Sequence, residues 1–125
     1  MENERQLADL AGRLGYRFQD RGLLVRAVTH RSYAADNNER LEFLGDALLS
    51  VVVAEALFRE RPREGEGALS RLRSNLVRER ALAGIARRLD LGEALRLGEG
   101  EQKRGGWRRD SVLADTLEAV LAAVY

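Results

Sequence analysis

Residues 38–49 read Asn38-Glu39-Arg40-Leu41-Glu42-Phe43-Leu44-Gly45-Asp46-Ala47-Leu48-Leu49. The acids Glu39, Glu42 and Asp46 recur at spacings of three and four, which puts them on one face of a helix. Leu41, Phe43, Leu44 and Leu48 lie among them, so the acids stand in largely apolar surroundings and not on an ordinary solvated face. Like charges this close repel, and a buried carboxylate without a partner is costly. The segment therefore predicts a helix whose acid face needs something positive.

Outward from this stretch the chain reads as helical nearly throughout. The central helix is predicted from about Asn38 to Glu60, roughly 30 Å or more in length at about 1.5 Å per residue. Its middle, Ala47 to Ala54, is almost wholly apolar and predicts burial on most sides. Pro62 follows its end. Upstream, Leu7, Leu10, Ala11 and Leu14 give one apolar face over residues 4–14, closed by Gly15. Asp20 is placed to cap a second helix running through Leu23, Leu24, Ala27 and Val28, and a polar stretch from His30 to Asn38 connects it to the central one. Downstream, Leu69, Leu72, Leu76, Leu82, Ile85 and Leu89 predict one helix over about 68–88 with these as its core face. Residues 90–97 suggest a short helix, 98–106 a glycine-rich loop, and Asp110 to Tyr125 a last helix. The fold class expected is all-α, as one domain.

Composition narrows the function. The chain has 125 residues and no cysteine, which removes disulfides, thiolate chemistry and cysteine-held zinc and fits a reducing cytoplasmic setting. The N-terminus, Met1-Glu2-Asn3-Glu4, is polar where a signal peptide would be apolar. No stretch has the length and apolarity of a membrane span, so no membrane partner is expected. The formal net charge of +1 from 21 basic and 20 acidic residues suggests no nucleic-acid partner by itself, but the distribution is uneven. Residues 103–109 (Lys-Arg-Gly-Gly-Trp-Arg-Arg) hold four basic residues and no acid, and Arg71, Arg73, Arg78 and Arg80 cluster nearby in sequence.

Asp115 and Glu118 repeat the acidic pattern on the last helix, among Leu113, Leu117, Val120 and Leu121. If the two helices meet face to face, four or five carboxylates converge. Oxygen-only donors select a hard cation, Mg²⁺ with Mn²⁺ as a substitute, over zinc. Such a centre supports phosphodiester hydrolysis by orienting and activating water and by offsetting charge on the attacking and leaving oxygens. Spacing alone leaves an ion-pair cluster open, with Arg40 or Arg109 as partners. A carboxylate-bridged di-iron bundle would need Glu-x-x-His pairs, and His30, the only histidine, is in none. His30 is read as a hydrogen-bonded structural residue and not as a general base. Trp107 is read as a core anchor in preference to a ligand-facing ring.

The run from Asn38 to Leu49 closely resembles the signature motif of the ribonuclease III family. Leu14-Gly15-Tyr16, Thr29-His30-Arg31-Ser32, Leu69-Ser70-Arg71-Leu72-Arg73 and Leu113-Ala114-Asp115-Thr116-Leu117-Glu118-Ala119 resemble its other segments, and Gly105-Gly106-Trp107-Arg108-Arg109 resembles bacterial members. The resemblance implies an all-helical homodimer that cuts double-stranded RNA with Mg²⁺. The ends left would be 5′-phosphate and 3′-hydroxyl, with two-nucleotide 3′ overhangs. It implies catalytic and metal-binding roles for Glu42, Asp46, Asp115 and Glu118. It also implies accessory roles at the cleavage site for Glu39 and Glu66, and an aromatic inserted into the partner subunit at Phe43. Arg108 and Arg109 are expected to contact RNA phosphates, a salt-dependent contribution. No small-molecule cofactor is expected. The same comparison suggests that residues 1–125 are a catalytic domain without the family's last catalytic-domain helical segment and without its double-stranded-RNA-binding domain. The alternative is a scaffold of the same fold that dimerises or binds RNA without cutting. A full set of costly buried acids argues against it.

Overall fold

A computed structural model describes the backbone of residues 2–125 and the side chains from Glu4 onward. The polar N-terminal reading at Met1 to Asn3 lies outside the described side chains. The described residues form eight α-helices: α1 (Glu2–Leu14), α2 (Arg21–Ala27), α3 (Glu39–Glu60), α4 (Glu66–Leu76), α5 (Glu79–Arg88), α6 (Leu91–Ala94), α7 (Glu99–Lys103) and α8 (Asp110–Val124). A 3₁₀ turn at Gly106–Arg108 precedes α8. No strand forms among these residues; one isolated bridge joins Thr29 to Arg96. The all-α expectation holds.

Local chemistry sets several boundaries. The Asp20 carboxylate accepts the Gly22 N–H at 3.0 Å and caps α2. Gly15 takes φ +67° after α1, a left-handed conformation that glycine adopts without steric cost. Asn38 is buried at the start of α3. Its side chain donates to Ala27 O at 3.0 Å, its N–H donates to Thr29 O at 2.9 Å, and its carbonyl accepts the Glu42 N–H at 2.8 Å. The first turn of α3 is thereby bolted to the end of α2.

The core is built around α8, and this corrects the expectation for the central helix. Val112, Leu113, Ala114, Ala119, Val120, Ala122 and Ala123 of α8 are all buried. Of these, Leu113, Ala119, Val120 and Ala123 share one core cluster with Leu7 and Leu10 of α1, Leu24 and Ala27 of α2, Ala83 and Ala86 of α5 and Leu91 and Ala94 of α6. In α3 only Gly45 and Leu57 are buried, while Val51 and Val52 are 64% and 54% exposed. The helix touches α8 and α4 on one side, and nothing among the described residues covers the other.

The helix predicted over 68–88 is two. Val77 donates to Arg73 O and ends α4; Arg78 turns extended (φ −70°, ψ 154°), and α5 restarts at Glu79. The elbow lets α4 lie along α3 while α5 buries Leu82, Ala83 and Ala86 against the core. Leu76 and Ile85, predicted core, are 50% and 36% exposed as a result. The glycine-rich stretch 98–106 contains the short helix α7 instead of being all loop.

Helices α3 and α8 cross at Gly45. A Cβ there would lie 1.8 Å from the carbonyl oxygen of Glu118, so no larger residue fits. We expect Gly45→Ala to cost about 3 kcal/mol or more of stability, above the usual range for overpacking because the obstacle is backbone. Gly84→Ala, on α5 with nothing within 4 Å of its Cβ position, should stabilise by about 0.5–1 kcal/mol. Urea denaturation of both variants tests the pair.

Candidate active site

The close crossing at Gly45 sets the carboxylates of α3 against those of α8. One carboxylate oxygen from each of Glu42, Asp115 and Glu118 lies within 4.8 Å of the others. Glu118 is only 8% exposed. Asp46 sits one turn beyond Glu42 on α3, and its carboxylate is within hydrogen-bonding reach of Glu118. Three of the four acids singled out from sequence thus meet, while Asp46 is exposed and stands beside Glu118 outside that group of three.

Their proton affinities show the strain of this arrangement. Burial pushes Glu118 up to about 8, helped by the hydrogen bond and charge of Asp46. Burial followed by the charge of Asp115 lifts Glu42 to about 7. Asp115 is also raised, chiefly by burial, although its hydrogen bond with Glu42 pulls the other way. Without a cation, protons are held between facing carboxylates. An all-oxygen donor set of this kind fits a hard divalent cation, whose charge would replace those protons.

The cluster opens into a cleft of about 550 Å³. Its lining includes Glu39, Glu42, Glu101 and Asp115 together with His30, Arg31, Arg104 and Arg109. Glu39 reaches the cleft as expected, and its carboxylate lies 4.0 Å from Arg31. Arg109 also lines it, but not as a partner of the clustered carboxylates of α3 and α8. It is bound to the carboxylate of Glu101, which Arg104 also contacts at 3.2 Å. Arg109, through its hydrogen bond, holds Glu101 below the ordinary carboxylate range. Glu101 is nine-tenths buried and escaped the sequence reading: an acid in a glycine-rich segment, without helical periodicity, carries no visible signal.

Two expected site residues lie elsewhere. Glu66 begins α4 beside Leu57 and Phe58, where it accepts a hydrogen bond from Ser70 at 3.3 Å. That is the far end of α3 from Glu42, roughly 20 Å away along the helix. Arg108 stands outside the cleft, with its guanidinium 5.7 Å over the ring of Trp107. Trp107 itself is 42% exposed and is not the core anchor expected, because it lines a surface groove together with Arg87. Phe43, next to Glu42, is 82% exposed, and Val51, Val52 and Phe58 continue an apolar stripe along the uncovered side of α3.

The fold and donor set define an all-helical chain with an oxygen-only carboxylate cluster, built across two helices, of a kind that fits a cation. Comparison with known proteins then gives the family. The family model described as Ribonuclease-III-like matches residues 20–125. Ribonuclease 3 of Pseudomonas putida (strain W619) is 60% identical over 119 residues, 95% of this chain and 52% of the relative. Ribonuclease 3 of Pseudomonas aeruginosa (strain LESB58) is 58% identical over 116 residues, 93% of this chain and 51% of the relative. The nuclease domain of ribonuclease III from Campylobacter jejuni, described for flexibility in a region involved in dimer formation, superposes with a TM-score of 0.91 at 45% identity, covering 93% of this chain and 82% of that one. This chain belongs to the ribonuclease III family. It spans about half the length of the curated relatives it matches.

Because Glu42 and Glu118 bind protons more tightly folded than unfolded, their contribution to stability is full below about pH 4.5, the ordinary value, and declines as pH rises through about 7 and 8. In EDTA, this predicts a falling unfolding midpoint between pH 5.5 and 8.5. Glu118→Gln should flatten that fall by on the order of 2 kcal/mol. Mg²⁺ should raise the midpoint more at pH 8 than at pH 6, and thermal melts across the range check both.

Proposed function

We propose that this chain is the catalytic domain of an endoribonuclease that acts as a homodimer on double-stranded RNA in the cytoplasm. The observation that supports it most directly is the convergence of Glu42, Asp115 and Glu118, with Asp46 against Glu118, in a member of this family. In this reading Glu42, Asp46, Asp115 and Glu118 hold Mg²⁺, with Mn²⁺ as a substitute. The bound cation would supply charge neutralisation at the scissile phosphate and lower the proton affinity of the attacking water.

The chain's own residues do the rest. The four carboxylates give up their shared protons and orient the centre from two helices held rigid at Gly45. The Glu101 clamp keeps Arg109 and Arg104 at the cleft wall, a suitable surface for the RNA backbone. Water is added across the P–O3′ bond: the phosphate stays on the 5′ end and the 3′ oxygen leaves as a hydroxyl. Two such sites related by a two-fold axis cut opposite strands, giving two-nucleotide 3′ overhangs. A-form RNA is recognised through backbone and shape, so no base-reading residues are needed.

The dimer reading rests on the uncovered stripe of α3, since an exposed apolar patch of this kind marks an interaction surface. A second copy would also be required to bring Glu66 near a cleavage site, because within one chain it lies at the wrong end of α3. Phe43→Ser should shift the chain from dimer to monomer in sedimentation equilibrium without lowering its helical content. A dimer unchanged by Phe43→Ser would place the interface elsewhere.

Cleavage is tested with long double-stranded RNA at low salt. Staggered products should form with Mg²⁺ and disappear with EDTA. Asp46→Asn and Glu118→Gln should each slow single-turnover cleavage by about a hundredfold or more. Cleavage that persists unchanged in Glu118→Gln would overturn the assignment of the site.

A further inference from the structure

His30 is held by one edge of its ring. The Ser32 N–H donates to Nδ1 at 3.1 Å. The Ser32 hydroxyl lies 2.8 Å from the same nitrogen and accepts the Gly98 N–H at 2.8 Å. A hydroxyl oxygen engaged as an acceptor has its own proton free to donate, so Nδ1 receives two hydrogen bonds. A nitrogen that accepts carries no proton, and the imidazole is therefore the neutral form with its proton on Nε2.

The support around this ring is tight. The His30 N–H donates to Arg96 O at 3.0 Å, and the His30 carbonyl accepts the Tyr33 N–H at 2.9 Å. A Cβ on Gly98 would lie 2.3 Å from Ser32 O, so the two loops touch only because residue 98 is glycine. Among the described residues, every hydrogen bond of the His30 side chain is made at Nδ1. The imidazole lines the cleft together with Arg31, Arg104, Arg109 and the carboxylates, and its Nε2 carries the ring's remaining hydrogen-bonding capacity.

We propose that His30 is a substrate-binding residue whose Nε2–H donates to a non-bridging oxygen of an RNA backbone phosphate in the cleft. This inference rests on the proposed function and deepens it. A phosphate is the occupant that fits, because Arg31, Arg104 and Arg109 line the same cleft and can meet its oxygens, while the carboxylates of Glu39 and Glu101 are already paired with those arginines. The donor is neutral. It contributes direction without adding to the salt-dependent attraction that the arginines supply.

Because His30 is the only histidine, its ring can be observed without ambiguity. With ¹⁵N-histidine-labelled chain in EDTA at low salt, long-range ¹H–¹⁵N spectra near pH 7.5 should show the Nε2–H tautomer. A short RNA duplex should move the Nε2 resonance well beyond that of Nδ1. An Nδ1–H tautomer, or duplex binding that leaves Nε2 unmoved, overturns the proposal. Failure of the chain to bind duplex at all overturns the functional reading instead, and this one with it.

Variants give a second readout by duplex binding in the same buffer. His30→Asn keeps a polar group only near the Nδ1 position and should weaken binding by about tenfold or more. His30→Gln retains an N–H near the Nε2 position and should lie within about threefold of wild type, by the same hydrogen-bond magnitude. The slope of log Kd against log salt should be the same for both as for wild type, since a neutral donor releases no counterion. Equal binding by His30→Asn and wild type, or weaker binding by His30→Gln than by His30→Asn, overturns the assignment.

Discussion

The contact between Gly45 and the backbone of Glu118 is the constraint on which the rest of the structure depends. Helix axes normally stand 8–10 Å apart because side chains separate them. Here one helix presents bare backbone to the other. The consequence is electrostatic as much as steric, since the residues flanking the crossing are acids and the short separation forces their carboxylates together. Packing elsewhere in the core, centred on the buried face of α8, has to hold the two helices against that repulsion. The domain thus stores an unfavourable local arrangement within a favourable global one, a pattern common where function and stability compete.

Around this crossing the loops are fastened with unusual economy. Asn38 connects α3 to the end of α2 with two hydrogen bonds, to Ala27 O and Thr29 O. Glu101 gathers Arg104 and Arg109. Ser32 links the His30 ring to the backbone at Gly98. Each is a small polar knot lining the cleft, and the Ser32 link ties segments distant in sequence. Hydrogen-bond networks of this kind order the walls of a site more than they add to overall stability.

Much of this was legible in the sequence, and the failures have physical causes. The acid spacing on α3 and α8 predicted one face each, and a long apolar helix at each position made their meeting the natural outcome. The elbow at Val77–Arg78 was invisible because neither residue is a helix breaker; tertiary packing of Leu82, Ala83 and Ala86 overrode a continuous local pattern. The apolar middle of α3 was read as buried because apolarity reports a need for cover and does not say which molecule provides it. Trp107 misled for a related reason, since a large ring beside arginine can lie on the surface with one face covered. Glu101 and the Ser32–His30–Gly98 link depend on three-dimensional closure of loops, which periodicity cannot register.

Glu42 and Phe43 are neighbours in the chain, on a helix whose hydrogen bonds run unbroken from Glu39 to Glu60. One faces the acid cluster and the other faces away from the molecule. In the proposed dimer, the distance between the two cutting centres would accordingly be gauged through a single peptide unit of stiff backbone at each end. No flexible segment would intervene. The stagger of the cut would then be a dimension of the helix, insensitive to loop motion, sequence of the RNA or temperature, in the way that a ruler's marks do not depend on what is measured.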